Sequence, residues 1–243
     1  MDMVAGKGMK MDILLAHDEN LRCLRQAEIF HRLTEEDLEP LSEIARSQRY
    51  AQRQLISCRA EDERGIFVIA HGGVRLYLVS YGGRELELFR RRTGDVFELG
   101  GLDPSVPDVI MAEALIDDTI IYVIPWPWFL TFVSGSADAA SSLAILMLRR
   151  CAEERALLRE LAFYPIAARL ARKLVELARG NGLHAVGETH EVLAAMIGAR
   201  REDVTKALRH LRDEGLVSFR FHGRQGILVL DLERLASYGE TAA

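Results

Sequence analysis

Arg201, Glu202 and Lys206 stand together in the stretch "IGARREDVTKALRHLRDEGLVSF" (197–219), and their types and spacing suit the reading of DNA bases. An arginine can offer two parallel donors to guanine O6 and N7, and a glutamate can accept from cytosine N4. Lys206, one turn on, can reach a phosphate or a second guanine. The same spacing has a plainer reading. Glu202 and Lys206 lie four apart, as any surface ion pair of a solvated helix does.

The surrounding residues bear on the choice. "THEVLAAMIGARREDVTKALRHL" has the spacing of a helix-turn-helix. Thr189 can cap the first helix, and Leu193, Ala194 and Ile197 form its apolar face. Gly198 takes the tight turn. Val204, Ala207, Leu208 and Leu211 recur at i, i+3, i+4, i+7 and form the buried stripe of the second helix. The opposite face presents Arg201, Glu202, Thr205 and Lys206. The "EGLVSFRFHGRQG" that follows reads as a hairpin, the wing of a winged helix-turn-helix, with Arg220, His222 and Arg224 near its tip. Arg200, Thr205, Thr189 and Arg224 are the expected backbone contacts, since phosphates position a protein on the duplex and bases specify the site.

Charge agrees with a module of this kind. The net charge of the 243 residues is −5, but residues 164–243 hold 12 lysines and arginines against 10 acids. The acid excess lies in the first two-thirds. A mildly basic module on an acidic body is compatible with DNA contact through one face.

The elements upstream follow from changes of period. "LTEEDLEPLSEIA" (33–45) is an amphipathic helix opened by Thr34, with acids in its first turn. From about 50 to 124 the chain breaks into short runs rich in β-branched and aromatic residues. Gly-Gly pairs at 72–73 and 82–83, and Gly94-Asp95, stand where hairpin turns belong. This is an antiparallel sandwich or roll. The run "TIIYVIPWPWFLTFV" (119–133) is shorter than the about 20 apolar residues a membrane span needs, and reads as a buried strand then a short helix. From 137, "ADAASSLAILMLRRCAEERALLRELAF" is one long helix that Pro165 ends. It carries an imperfect heptad seam, with Ala144, Cys151 and Leu158 at a and Met147, Glu154 and Leu161 at d. The stripe could pack on the roll, but a helix this long would overhang it, so a homodimer is expected. The next helix, "IAARLARKLVELARG", is expected to close at Gly180 and Gly182.

Other chemistries find little support. Cys23, Cys58 and Cys151 are far apart and form no C-x-x-C pair, so neither a zinc site nor a disulfide framework is expected. No secretory signal is visible, and a reducing cytoplasm fits the cysteine usage. A metalloenzyme built on the roll would need several histidines converging inside it, and His71 is the one histidine between residues 50 and 135. No enzyme and no metal site are expected. A regulatory ligand-binding module that contacts protein rather than DNA is the remote alternative.

This order of parts resembles the CRP/FNR family of bacterial transcription regulators over about residues 28–235. The most specific segment is "THEVLAAMIGARREDVTKALRHLRDEGLV", similar to the family's helix-turn-helix signature. Arg201 and Glu202 fit its base-contacting pair, and Lys206 stands where arginine is more usual. "GIFVIAHGGVRLYLVSYGGRELELFRRRTGDVF" is similar to the sensor roll, and "ELAF" (160–163) to the hinge. The resemblance implies an α+β fold: an effector-sensing roll with N-terminal helices (1–135), a dimerisation helix (136–163) and a winged helix-turn-helix (164–243). It also implies a homodimer on a two-fold symmetric site in double-stranded DNA, with half-sites about 34 Å apart. RNA polymerase is the implied partner, and no membrane is involved.

The family's cyclic-nucleotide site pairs a Gly-Glu with an Arg that meets the cyclic phosphate. Here "GDVFELGGLDPSVPDVIMAEAL" offers Glu98 without the Gly, and "DVIMAEA" without a cation. An unpaired buried phosphate is costly, so cyclic AMP is not the expected effector. An iron–sulfur cluster needs four thiolates, and only Cys23 lies near the N-terminus. The roll also resembles that of the haem-containing carbon monoxide sensor, but its Cys and His ligands are missing from "ELGG". Haem held another way, with His71 as ligand, is the alternative. The expected effector is a small organic molecule in a pocket at Glu98, Leu99, Gly100, Met111, Glu154, Leu157 and Leu158. Cys151 is a candidate redox switch.

Overall fold

The apolar runs of residues 46–125 are strands, and several are buried on both faces. In the computed structural model, residues 18–56, 64–99, 110–181, 185–221 and 224–241 are described. The strands are β1 (Arg46–Tyr50), β2 (Leu55–Ile56), β3 (Gly65–His71), β4 (Gly73–Val79), β5 (Glu85–Arg92), β6 (Val96–Leu99), β7 (Ile110–Ala114) and β8 (Thr119–Pro125). They form two antiparallel sheets, ordered β1-β8-β3-β6 and β2-β7-β4-β5. Along β3, Phe67 and Ile69 face the core between the sheets, with Phe97, Leu76, Ile121 and Val123. Ile66 and Val68 point the other way, onto helices. Burial on both faces explains why "GIFVIA" and "TIIYVI" read as continuous apolar runs rather than alternating ones. Gly72, Gly83 and Gly94 take positive φ at the turns the glycines announced.

The helical layer comprises α1 (18–26), α2 (Glu35–Ile44), α3 (Trp126–Gly135) and the first half of α4 (Ala137–Phe163). Thr34 caps α2 in a reciprocal box with Asp37. Leu24, Phe30, Leu38, Leu41, Phe129 and Leu146 fill the layer. Glu28 ties α4 down by two ion pairs, to Arg149 at 3.0 Å and to Arg150. Among the described residues no single helix is long and apolar enough to cross a membrane.

Two packing units divide the chain: residues 1–78 with 89–151, and residues 79–88 with 152–243. The boundary falls inside α4 rather than at its ends. The second unit contains α5 (Ile166–Asn181), β9 (Ala185–Val186), α6 (His190–Ile197), α7 (Arg201–Asp213), β10 (Val217–Phe221), β11 (Arg224–Val229) and α8 (Leu232–Thr241). Its core joins Leu170 and Leu174 of α5 to Leu193, Val204, Leu208, Leu211, Ile227 and Leu235. The wing is a three-stranded sheet, ordered β10-β11-β9. Two expectations change here. The helix α5 runs through Gly180 to Asn181 instead of closing at that glycine; Gly182 lies outside the described residues. The short β9, two residues long, gave no periodic signal.

The positions of the expected heptad seam on α4 are mostly exposed. Ala144, Met147, Cys151, Glu154 and Leu158 are exposed, but Leu161 is half-buried. Leu148 is 69% and Leu158 65% exposed, and Phe163 at the end of the helix is 72% exposed. The exposed surface thus takes in the a positions, the d positions Met147 and Glu154, and Leu148 beside them. Leu161, the last d position, turns toward Gly198.

Candidate nucleic-acid interface

The turn between α6 and α7 sets the candidate site. Thr189 caps α6 by accepting from the Val192 amide. Gly198 ends it at φ +62, a left-handed conformation that favours glycine. A Cβ there would come 2.8 Å from Leu161 and 3.0 Å from Leu86. Arg169 of α5, buried, donates to the Ile197 carbonyl just before the turn. Burial lowers the Arg169 pKa from its ordinary value, yet the group keeps its charge at neutral pH.

Val204, Ala207, Leu208 and Leu211 bury one face of α7, as the spacing requires. Arg201, Glu202, Lys206 and Arg209 are exposed on the other. The expected base-reading trio is thus on one outward surface, in the first two turns. Lys206 sits 3.4 Å from Asp203, not on Glu202. Among the described residues Arg201 and Glu202 have no side-chain partner. The surface-pair reading of Glu202 with Lys206 is therefore replaced by a weak contact between Lys206 and Asp203, three-quarters and one-third exposed.

Beside this face lies a cleft of about 880 Å³ between the start of α6, α7 and the wing. Thr189 and Thr205, two of the expected backbone contacts, line it with Arg201 of the base-reading trio. So do His190, Arg209 and Arg212, which the sequence reading did not name. Arg209 was readable, since it follows Arg201 and Thr205 at helical spacing. His190 was hidden, because its role depends on Thr205, fifteen residues away. Arg200 is the N-cap residue of α7 and makes no side-chain cap bond. Arg224 opens β11, with its backbone opposite Phe221; His222 lies outside the described residues.

Leu99 faces the core between the sheets with Phe97, but Glu98 is exposed on the opposite side of β6. Met111 is 38% exposed, while its neighbour Ala112 is fully buried. Strand residues alternate sides, so Glu98 and Leu99 lie on opposite faces of β6. Gly100 lies outside the described residues. On α4, Glu154 and Leu158 are exposed and Leu157 is half-buried. Among the described residues, Glu87 and Arg91 of β5 are buried charged groups, at the same alternation as Phe89, with Arg91 over the Phe89 ring at 4.6 Å. His71 is exposed at the turn into β4. Cys151 is exposed; Cys23 is partly buried, and Cys58 lies outside the described residues.

Comparison with known proteins bears on the whole arrangement. Residues 168–238 match the model of the Crp-like helix-turn-helix domain. The chain is 28% identical over 196 residues to the cyclic AMP receptor protein of Thermus thermophilus, covering 80% of this chain and 89% of that one. A crystal structure of a transcriptional regulator of the CRP/FNR family from Eubacterium rectale superposes with a TM-score of 0.77. It is 26% identical and is covered completely by 89% of this chain. A CooA mutant from Carboxydothermus hydrogenoformans shares the fold, with a TM-score of 0.61 at 22% identity over 81% of this chain and 88% of that one. With the roll, the long helix and the exposed face of α7, these likenesses make residues 168–238 a Crp-like helix-turn-helix domain and the chain similar, over most of its length, to transcription regulators of the CRP/FNR family.

Proposed function

We propose that this regulator acts as a homodimer and reads a two-fold symmetric DNA site through α7. Arg201 and Glu202 contact bases, Lys206 contacts a base or a phosphate, and the cleft beside them holds the backbone. The observation that carries the reading is the pair of exposed, unpartnered side chains at Arg201 and Glu202, next to a wall of Arg209 and Arg212. The exposed apolar stripe of α4 supports the dimer, with a second copy of the chain as its occupant. Bound upstream of a promoter, such a dimer would act through RNA polymerase in the cytoplasm. Selection of duplexes from a randomised pool tests this. A palindromic consensus with half-sites one helical turn apart is expected; an unordered pool overturns it.

The effector we propose is a small organic acid rather than cyclic AMP. The Thermus relative is named for cyclic AMP, but this chain has no lysine or arginine from Gly94 to Leu148, the stretch in which the family holds the cyclic phosphate. Arg91, buried against Phe89, supports an acidic ligand with an apolar or aromatic body. His71, exposed at a turn, lends haem less support. Native mass spectrometry with an absorption spectrum of the purified protein checks this. A colourless dimer carrying a small extra mass is expected. A Soret band, or saturable binding of cyclic AMP, would overturn it.

A further inference from the structure

His190 begins α6 and Thr205 lies on the second turn of α7, and they are joined by hydrogen bonding. His190 Nδ1 lies 2.9 Å from Thr205 Oγ1. The same hydroxyl donates to the Arg201 carbonyl, 3.0 Å away. A hydroxyl carries one proton. With that proton on the carbonyl, Thr205 can only accept from the ring. Both bonds are made together only when Nδ1 is the protonated nitrogen, a tautomer assigned from this network. In the neutral imidazole, Nε2 is then an acceptor without a proton.

His190 lines the cleft that Arg201, Arg209 and Arg212 make cationic. A DNA phosphate brings only acceptor oxygens to that cleft. A neutral His190 would meet it lone pair to lone pair. The imidazolium can donate from Nε2 while keeping its bond to Thr205.

We propose that His190 is a phosphate contact that works only when protonated, so that this regulator takes up a proton when it binds DNA. The proposal rests on the DNA-binding reading above. The charges around the ring oppose one another in the free protein. Glu188 and Glu191 on the same cleft favour the imidazolium, and Glu188 Oε2 is buried without a hydrogen-bond partner. The three arginines of α7 disfavour it. On the wing side Phe219 and Ile227 are uncharged. A phosphate laid against Arg209 and Arg212 screens them and adds its own attraction, which shifts the balance toward the cation. The bound state therefore has the higher proton affinity. DNA affinity rises as pH falls through the imidazole range and is level above it.

The test measures affinity of the full chain for a mixed-sequence DNA duplex by fluorescence anisotropy, at several salt concentrations, from about pH 8 to pH 5.5. Wild type should gain affinity toward low pH, by at most about tenfold per pH unit for one proton. Its salt slope should steepen by about 0.9 for the added phosphate contact. His190→Gln should stay at the weak, high-pH level with the shallower slope. His190→Arg should stay at the strong level throughout. Thr205→Val should blunt the pH response, because the released ring can present a proton on Nε2 without being charged. A wild-type pH response that survives in His190→Gln, or a flat wild type, overturns the proposal alone. Failure of wild type to bind the duplex at any pH or salt overturns the DNA reading, and the proposal with it.

Discussion

Arg169 of α5 donates through Nη1 to the backbone carbonyl of Ile197, the last residue of α6. That carbonyl belongs to the final turn of a helix, where no intrahelical donor exists. A buried cation there also meets the negative end of the helix dipole. The bond fixes where α6 stops, and so where α7 starts. Arg169→Met keeps most of the apolar stem but leaves the carbonyl orphaned. We expect a loss of about 1.5–3 kcal/mol, read as a lower denaturant midpoint at unchanged slope. A shift of a few tenths would show that water replaces the guanidinium at no cost.

The stripe on α4 makes a separate prediction. Leu148, 69% exposed, sits at its centre with Cys151 one turn on. If a second copy covers the stripe, Leu148→Glu places two buried charges at the two-fold axis, where pairing is impossible and desolvation is expensive. Sedimentation should then find a monomer where the wild type is a dimer. In the wild type, mild oxidation should join two chains through Cys151. A Leu148→Glu protein that still sediments as a dimer would move the interface to another surface.

Cys23 behaves differently from Cys151. Burial, with Glu19 nearby, pushes the Cys23 thiol up to about 12 from an ordinary 9.0. The thiolate is the reactive form, so an alkylating reagent at neutral pH should modify Cys23 only as fast as the first unit opens. The sign for stability follows. The raised value favours the fold fully below about 9, and that contribution is lost as pH rises toward about 12. Prompt alkylation of Cys23 in the native protein at neutral pH would contradict its burial.

Much of this architecture was legible in residue patterns, because the signals were local. Thr34 with the acids after it marked a helix start, Gly198 marked the turn, and Pro165 separated α4 from α5. The buried stripe of α7 also followed from its spacing, and placed Arg201, Glu202 and Lys206 outward without any tertiary knowledge. What escaped was non-local. The pleat phase that turns Glu98 and Met111 away from the core is set by pairing, here Met111 opposite Tyr77 of β4. The partner of Lys206 is Asp203 because rotamers, not spacing alone, choose between i+3 and i+4 neighbours. The link from His190 to Thr205 needs the two helices to be packed before it exists.

Base reading by α7 stands or falls on Arg201. The most direct measurement compares wild type and Arg201→Ala on a selected palindromic duplex and on a scrambled one, at one fixed salt concentration. The account predicts a loss of about 1–3 kcal/mol on the matched half-site, relaxed base preference at one position, and nearly unchanged affinity for the scrambled duplex. An equal loss on both duplexes would make Arg201 a phosphate contact and contradict base reading by α7.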